Sequence, residues 1–484
     1  MEYIEQIYPD GSRYQGDFVD GKQHGKGVFT DSDGHRYEGD FANDNFHGQG
    51  ILTLTDGRRY EGNFVNGKFH GKGIFIWPDG NRYEGEFVNG LQHGKGIFTH
   101  SDGSRYEGDY VDGERTGKGI LIWSNGGHYE GEFFDGDPHG KGILVCSNGD
   151  CYEGDWVNGQ EHGKGILSAP DGGRYEGDWV NGEQTGKGIF VWPDGSRYEG
   201  DWVNGERTGK GVFTHSDGHR YEGDFVNGYF QGQGIQSLAD GHRYEGDFVE
   251  DKFHGKGILI WPDGSRYEGD FENGEQTGKG VITTFDGDRY EGNFVNGIFH
   301  GKGILLWSDG TQYKGEFKNG KQTKGIYTTP DGCRYEGDFE NGKFHGKGIY
   351  FWPNGNCYEG DFVDDKQHGK GTMIYVNGSR YDGDWVDDKR QGKGILTTLA
   401  GTRYEGDFAN DKQHGKGIMI YANKNRYEGE FVDNRRNGMG ILTTPDGTRY
   451  EGEFANDWFH GKGTMTYPDG RQESGQWENG RFIG

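Results

Sequence analysis

The chain has 484 residues, a formal net charge of -27 and only 30% hydrophobic residues, which excludes a conventional large buried core. It contains no run of 18 apolar residues, so we expect no segment that spans a membrane. The 97 glycines and the negative charge are typical of disorder, but Phe, Trp and Tyr make up 15% of the chain. Because disordered segments are poor in aromatic residues, we expect a thin folded structure lined with rings.

The N-terminal segment MEYIEQIYPDG is acidic and lacks an apolar stretch, so we expect no secretory signal. Residues 1–11 are predicted to form a lone strand. Four cysteines fit neither a disulfide framework nor a CxxC metal spacing, and reduced thiols in the cytoplasm are expected. They are Cys146, Cys151, Cys333 and Cys357.

From residue 12 onward one pattern recurs almost to the end, and its tyrosine returns every 23 residues from Tyr14 to Tyr450. The one exception is the step of 22 residues from Tyr313 to Tyr335. Repeats therefore fill residues 12–470, and a degenerate copy occupies residues 471–484. No linker interrupts the series, so residues 1–484 are predicted to form a single array.

Each copy holds two strand signals and two turn signals. In the first strand Tyr60, Gly62 and Phe64 share one face, because side chains alternate along a strand. The second strand continues this ring-bearing face with Phe75, and its Lys and Ile residues take the other face together with Glu and Asp. Asn66-Gly67 and the sequence PDG at 78–80 predict the reversals.

A single hairpin is marginal in water, so each copy needs its neighbours. We therefore predict an all-β fold, an elongated, single-layer, twisted antiparallel sheet of about 21 stacked β-hairpins with an aromatic-lined groove. Such a solenoid-like rod would be on the order of 200 Å long, at about 4.8 Å per strand.

The repeat resembles the MORN (membrane occupation and recognition nexus) repeat, whose unit reads Y-E-G-x-F/W, N-G-K and H-G-x-G. Residues 83–90, YEGEFVNG, followed by HGKG at 93–96, match it closely. The resemblance implies an elongated grooved sheet that organises proteins or membranes, as in cytoskeletal and ciliary proteins. It implies no chemistry, because catalytic members carry a separate catalytic domain, for which this chain has no residues left over.

Neither the HGKG segments nor the repeated acids predict a chemical site. Each lysine is followed by Gly rather than by Ser or Thr and a helix, as a phosphate loop requires. Neighbouring histidines would lie roughly 10 Å apart, too far to share one metal ion, and a turn role is expected for them. We therefore expect no catalytic residue, no metal and no cofactor.

The end of the second strand carries the candidate partner-binding positions. Large rings there alternate with His or Thr, which predicts either staggered packing or a groove that grips an extended segment or helix of a partner. The rings are Trp77, Trp123, Trp192, Trp261, Trp307, Trp352, Tyr375, Tyr421 and Tyr467.

A second recurring set of rings, all phenylalanines, is predicted to lie at the loop tips. There they would either fold back onto the next hairpin or form an exposed apolar edge. This set is Phe46, Phe69, Phe230, Phe253, Phe299, Phe344 and Phe459.

The short copy, which lacks the glycine between Thr323 and Lys324, is predicted to contain a local bend or bulge. Four lysines make this copy a basic island in an acidic chain and a candidate docking point. They are Lys314, Lys318, Lys321 and Lys324.

Two functions remain open from the sequence. The first is a non-enzymatic scaffold that binds proteins along the aromatic groove, in the cytoplasm and in a cytoskeletal or ciliary (axonemal) assembly. The alternative is a peripheral phospholipid-binding organiser, which the acidic charge disfavours apart from the basic island. Nucleic acid is not expected as a partner. The C-terminus is expected to stop after one strand and a tail, and the open sheet edges leave a homodimer possible.

Overall fold

The computed structural model describes residues 2–484, with side chains from residue 4 onward. Its described residues contain 43 β-strands and no α-helix, which confirms the all-β prediction. The chain divides into two compact units. The first covers residues up to 239 together with 248–251, and the second covers 240–247 together with 252–484.

The strands up to residue 237 are β1 Glu2–Ile7, β2 Arg13–Val19, β3 Lys22–Thr30, β4 Arg36–Ala42, β5 Asn45–Thr53, β6 Arg59–Val65, β7 Lys68–Ile76, β8 Arg82–Val88, β9 Leu91–Thr99, β10 Arg105–Val111, β11 Glu114–Ile122, β12 His128–Phe134, β13 Asp137–Val145, β14 Cys151–Val157, β15 Gln160–Ser168, β16 Arg174–Val180, β17 Glu183–Val191, β18 Arg197–Val203, β19 Glu206–Thr214, β20 Arg220–Val226 and β21 Tyr229–Ser237.

The remaining strands are β22 Arg243–Val249, β23 Lys252–Ile260, β24 Arg266–Glu272, β25 Glu275–Thr283, β26 Arg289–Val295, β27 Ile298–Leu306, β28 Gln312–Lys318, β29 Lys321–Thr328, β30 Arg334–Glu340, β31 Lys343–Phe351, β32 Cys357–Val363, β33 Lys366–Ile374, β34 Arg380–Val386, β35 Lys389–Thr397, β36 Arg403–Ala409, β37 Lys412–Ile420, β38 Arg426–Val432, β39 Arg435–Thr443, β40 Arg449–Ala455, β41 Trp458–Thr466, β42 Gln472–Glu478 and β43 Arg481–Phe482.

Within each unit the strands pair antiparallel with their chain neighbours. Tyr175 in β16 lies opposite Phe190 in β17 of its own hairpin, and in the next pairing Gly186 lies opposite Trp202 in β18. The same pairings recur in the second unit, where Tyr404 lies opposite Met419 and Gly415 opposite Phe431. Stacked antiparallel hairpins are therefore the architecture of both units.

The first reversal of most copies is a two-residue turn. Asn66 and Gly67 connect β6 to β7 with φ angles of 48° and 76°, the pair of positive values that a type I′ turn requires. Glycine fills the second position in eight consecutive copies, and we call residues 60–228 the glycine-tipped region. Five later copies place Asp or Asn there, and we call residues 358–458 the Asp/Asn-tipped region.

The core is a ladder of rings on one face of the strands. Tyr175 and Tyr198 are fully buried, and Trp179 between them is only 5% exposed. Tyr175 packs edge-to-face against Trp179 of its own strand and Trp202 of the next hairpin, each at 5.2 Å between ring centroids. Such pairs contribute roughly 0.5–1.5 kcal/mol beyond their buried area. Each hairpin is thus stabilised by its neighbour, as predicted.

Glycines leave the room that these rings need. A Cβ on Gly188 would lie 2.4 Å from the hydroxyl and 2.6 Å from Cε2 of Tyr175, and one on Gly177 would lie 2.5 Å from the same hydroxyl. The tyrosine ring therefore lies against bare backbone, and this close approach requires glycine at these positions of the ring-bearing face.

The C-terminus differs from expectation. The chain does not stop after one strand, because β43 pairs with β42 and places Phe482 opposite Trp477. Beyond it, the Gln476 amide donates to the Gly484 carbonyl at 2.8 Å. The tail therefore supplies hydrogen-bond partners to the last long strand, a role that its short polar sequence did not indicate.

Candidate partner-binding face

The repeated hairpins contain a bulge that the sequence did not indicate, apart from the one predicted in the short copy. In β16 and β17 the register shifts between Gly177 and Asp178, which leaves Gly186 and Lys187 without partners in that pairing. The Lys187 amide donates to Asp178 Oδ2 at 3.0 Å, and Lys164 Nζ of the preceding hairpin lies 2.5 Å from Asp178 Oδ1. One carboxylate therefore closes its own bulge and contacts the neighbouring hairpin.

These contacts set the ionisation of the bulge carboxylates. Partial burial alone would raise the pKa of Asp178, but the hydrogen bonds from Lys164 and from the Lys187 amide outweigh it and lower that pKa. The pKa of Asp361 is lowered for the same reasons by Lys347 and the Lys370 amide. The face opposite the rings is therefore a row of ion-paired carboxylates, as predicted.

The histidines lie at this bulge and not in a turn, so their predicted turn role is wrong. His47 lies within β5 opposite Asp40. The Tyr37 hydroxyl lies 2.8 Å from the Asp40 carbonyl and 3.2 Å from that of His47. The backbone of His47 thus accepts from the buried tyrosine, and the following Gly48 supplies a positive φ of 57°.

The nine candidate rings all occupy one position, the first residue after the second strand. Trp77 follows β7, and its amide donates to the Asn81 carbonyl at 2.9 Å, which closes the second turn. Eight of the nine are half-buried, and Trp123 is exposed. They therefore line the edge of the ring-bearing face and do not enter its core.

The structure brings two of these nine rings together in one cavity. Trp352 and Tyr375 lie in a groove of about 510 Å³, which we call the Trp352 groove. Its other rings are Phe344, Tyr350, Phe362 and Trp385. Met373 and Gln367 complete the lining together with three carboxylates, Asp365, Asp388 and Asp411. Outside this groove, Trp192 contacts the half-buried rings of Phe190 and Phe213, with centroids 4.7 and 5.5 Å away.

The predicted loop-tip phenylalanines are not in loops. Phe46 lies in β5 opposite Phe41 and stacks on Tyr37 of its own hairpin, with centroids 3.9 Å apart and an interplanar angle of 12°. Phe46 also packs edge-to-face on Phe64 of the next hairpin at 6.0 Å. All seven stack on a tyrosine in this way. They form a second layer of rings over the core. This excludes the alternative that these phenylalanines form an exposed apolar edge.

Four copies replace this phenylalanine with arginine. Arg207 lies over four rings, with its guanidinium carbon 5.5–5.7 Å from their centroids, and Arg207 Nη2 donates to the Gly228 carbonyl at 2.7 Å. Burial lowers the pKa of Arg207. Arg390 and Arg436 repeat the arrangement. These cation–π contacts were not predicted from the sequence, although the arginine in the phenylalanine position is visible there.

The Asp and Asn turn tips were a second missed signal. Asp388 has a positive φ of 66°, and its Oδ1 accepts from the Gln367 amide of the preceding hairpin at 2.8 Å, while its own amide donates to the Gln367 carbonyl at 3.1 Å. A glycine tip makes only the second bond, as Gly205 does with the Gln184 carbonyl at 3.0 Å. We call the added side-chain bond the tip staple.

The short copy absorbs its missing residue in the bulge. Between β28 and β29 the shift falls between Glu316 and Phe317, and only Thr323 is left without a partner, where other copies leave two residues. The predicted bulge is thus present but shorter than those elsewhere. Alternation places all four lysines on the charged face, exposed, and Lys324 lies 3.8 Å from Asp338. A docking role for the island stays a prediction.

A larger groove of about 880 Å³ lies on the charged face of residues 370–451. Ile395, Glu405 and Ile418 are typical of its lining. Two of its lysines form ion pairs: Lys370 pairs with Asp384, and Lys393 Nζ lies 2.5 Å from Asp407. Residues 4–484 contain no group of three His, Cys, Asp or Glu side chains placed to hold a metal ion. No helix long and apolar enough to span a membrane was found in the described chain.

These features define a β-hairpin repeat protein with one ring-bearing face and one ion-paired face. The profile of the MORN repeat matches twenty segments between residues 14 and 470, with few residues between them. The chain belongs to the MORN-repeat family, as its sequence predicted. No curated protein matched the chain.

Similar solved structures include two centriole proteins. The chain is 13% identical to the SAS-4 TCP domain of Drosophila melanogaster, solved with a proline-rich motif of Ana2, and covers 90% of that domain with 36% of itself at a TM-score of 0.22. It is 15% identical to the TCP10 domain of Danio rerio CPAP, with coverages of 93% and 45% and a TM-score of 0.22. At these scores neither likeness carries an argument about this chain.

Proposed function

We propose that this protein is a non-catalytic scaffold that binds extended or helical segments of partner proteins along its ring-bearing face. The supporting observation is the position of the candidate rings: eight of the nine are half-buried at the edge of the face, and Trp352 and Tyr375 lie together in the Trp352 groove. Aromatic side chains that present one open surface are frequent anchors of protein interfaces. The other face offers mainly paired charges, which contribute little to affinity.

The proposed setting is a cytoplasmic assembly of the cytoskeleton or a cilium, which the family resemblance implies. A repeated face suits a partner that is extended or multivalent, because successive weak contacts add through effective concentration. Binding to anionic lipid is the alternative, and the exposed lysines Lys314, Lys318 and Lys321 are the observation that favours it.

The test replaces three rings with the residue that the chain itself uses at the same place. The Thr284 amide donates a hydrogen bond to the Asp288 carbonyl at 2.8 Å and so closes its turn. The variants Trp77→Thr, Trp192→Thr and Trp352→Thr should therefore keep their turns. Tagged wild-type and triple-variant proteins would be purified from native cells, and the partners compared by mass spectrometry. Loss of stoichiometric partners in the variant is expected. Val65→Thr with Val203→Thr, exposed on the opposite face, is the matched control.

Flotation with vesicles of phosphatidylcholine and phosphatidylserine tests the alternative in the same preparation. We expect no flotation at physiological salt, because the net charge of -27 opposes an anionic surface. Flotation that is abolished by neutralising Lys314, Lys318, Lys321 and Lys324 would replace the scaffold proposal with the membrane one. Partner retention by the triple Trp→Thr variant would contradict binding along the ring-bearing face.

A further inference from the structure

The Asp-tipped copies are of two kinds. In the first kind the acid meets a guanidinium of its own chain. Arg390 Nε lies 3.3 Å from Asp411 Oδ1 and its Nη2 donates to the Asp411 carbonyl at 2.5 Å, and Arg436 contacts Asp457 in the same way. In both copies the guanidinium also lies over a tyrosine and a phenylalanine at 5.3–5.6 Å. An acidic tip and two rings thus form a guanidinium site that the chain fills by itself.

In the second kind the acid is present and the arginine is missing, as at Asp44, Asp251, Asp365 and Asp388. Of these four acids, Asp365 and Asp388 concern the Trp352 groove. At Asp365 the position of the arginine is occupied by Phe344, and at Asp388 it is occupied by Gln367. Among residues 4–484 neither acid takes part in an ion pair, because Lys343 and Lys366 reach the preceding acids, Asp364 and Asp387, at 3.7 Å. Both unpaired acids line the Trp352 groove.

We propose that the Trp352 groove binds an arginine side chain of a partner protein, with the guanidinium against Trp352 and Tyr350 and its charge facing Asp365 and Asp388. This inference rests on the proposed scaffold function and names the chemistry that one part of the face recognises. Asp411 contributes little charge to the groove because Arg390 already neutralises it.

Arginine suits this groove better than lysine. A guanidinium is planar, stacks on rings and is weakly hydrated, whereas an ammonium group is compact and holds its water. Cation–π contacts between a guanidinium and an aromatic ring strengthen where water is excluded. The four arginines that the chain lays over its own rings show that this face accommodates guanidinium groups, and no lysine is found in that position.

The experiment measures binding of a fluorescein-labelled peptide of alternating Gly and Arg to the full chain, by anisotropy at physiological salt. The same peptide with citrulline, which has the shape of arginine without its charge, should bind at least about ten-fold more weakly. The lysine peptide should also bind several-fold more weakly. Equal binding of the citrulline or the lysine peptide would overturn the proposal.

The protein variants separate this groove from the general negative charge. Asp365→Asn with Asp388→Asn removes two charges and keeps the tip staples, because Asn434 makes the same bond to the Gln413 amide at 2.8 Å. This double variant should bind the arginine peptide about ten-fold more weakly than the wild-type protein does. The matched control is Asp44→Asn with Asp251→Asn, which removes two charges from equivalent turn tips elsewhere and should leave binding unchanged.

Two results would contradict the inference. The first is equal weakening by both double variants, which would mean that the peptide follows net charge alone. The second is unchanged binding in the groove variant. If cellular partners are lost with Trp→Thr but retained with Asp365→Asn and Asp388→Asn, the scaffold function stands and the arginine site falls. If partners are retained in both, the scaffold function fails independently of the peptide result.

Discussion

The glycine-tipped region and the Asp/Asn-tipped region solve one backbone problem in two ways. Both need a positive φ at the second turn residue, 80° at Gly205 and 66° at Asp388. Glycine adopts this conformation without a steric cost, whereas an L-residue pays for it and Asp or Asn tolerates it best. The second region offsets the strain with the tip staple, which glycine cannot form.

The difference teaches that the turn tips carry function as well as geometry. A glycine tip leaves the edge of the face uncharged, while an Asp tip places a carboxylate beside the rings. Where an arginine of the same chain is opposite, that charge is neutralised, as at Asp411. Where no arginine lies opposite, as at Asp365 and Asp388 in the Trp352 groove, the carboxylate is left for the arginine of a partner that we propose. An Asp in place of Gly at the turn tip thereby adds a charge to the packing face and makes it a candidate binding groove.

The largest expected effect should be equal in the two regions, because both use the same bare backbone under the tyrosine. Gly188→Ala and Gly417→Ala would each place a Cβ within 2.5–2.6 Å of a buried tyrosine ring. We expect each to destabilise its hairpin by about 1–3 kcal/mol. Amide hydrogen exchange of that hairpin measures the loss. A tolerated alanine at either site would show that the two regions differ in their core.

The tip staple separates the regions more sharply. Asp388→Ala keeps a non-glycine residue at positive φ and removes the bond to the Gln367 amide, so we expect a loss of about 1–2 kcal/mol in that hairpin. Gly205→Asp introduces both the backbone strain and the tip staple, so it should leave the stability of its hairpin nearly unchanged. Exchange protection of the Gln367 and Gln184 amides reports the outcome. Equal costs for the two substitutions would contradict the compensation.

Replacing a tryptophan of the ring ladder should have a smaller effect on stability. Trp179 Nε1 donates to the Gly165 carbonyl at 3.3 Å, a bond that phenylalanine cannot make. Trp179→Phe should cost about 1 kcal/mol, from the lost bond and the smaller ring. Phe431→Trp in the Asp/Asn-tipped region is the converse variant, and an indole ¹⁵N shift typical of a hydrogen-bonded N–H would report the new bond. Trp385 of the same region already donates to the Gly371 carbonyl at 3.2 Å, so absence of the shift would mean that the indole bond depends on the individual copy.

The smallest expected effect concerns pH and is shared by both regions. The pKa values of Asp178 and Asp361 are lowered, so these carboxylates stabilise the fold above pH 3.8, their ordinary pKa, and lose this contribution as the pH falls below it. Lys164→Met should raise the pKa of Asp178 and leave that of Asp361 unchanged. Carboxyl ¹³C titration measures both values. An unshifted Asp178 would mean that the ion pair is broken in solution.

Much of this protein follows from its sequence because the repeat is short and local. A period of 23 residues, two turn signals and the alternation of Tyr60, Gly62 and Phe64 define the hairpin, its faces and its family. Turn residues and alternation act over a few positions, so they can be read without knowing the neighbours. The nine edge rings were also found in this way, because they share one position in the repeat.

Contacts between strands could not be read in the same way. The bulge at Asp178, the stack of Phe46 on Tyr37 and the staple from Asp388 to the Gln367 amide depend on register across strands. A bulge shifts that register by residues that a repeat pattern does not reveal. The amino-acid sequence therefore determined the hairpin and its two faces, and only the tertiary structure decided which rings meet carboxylates, because that proximity arises between residues about 20 positions apart.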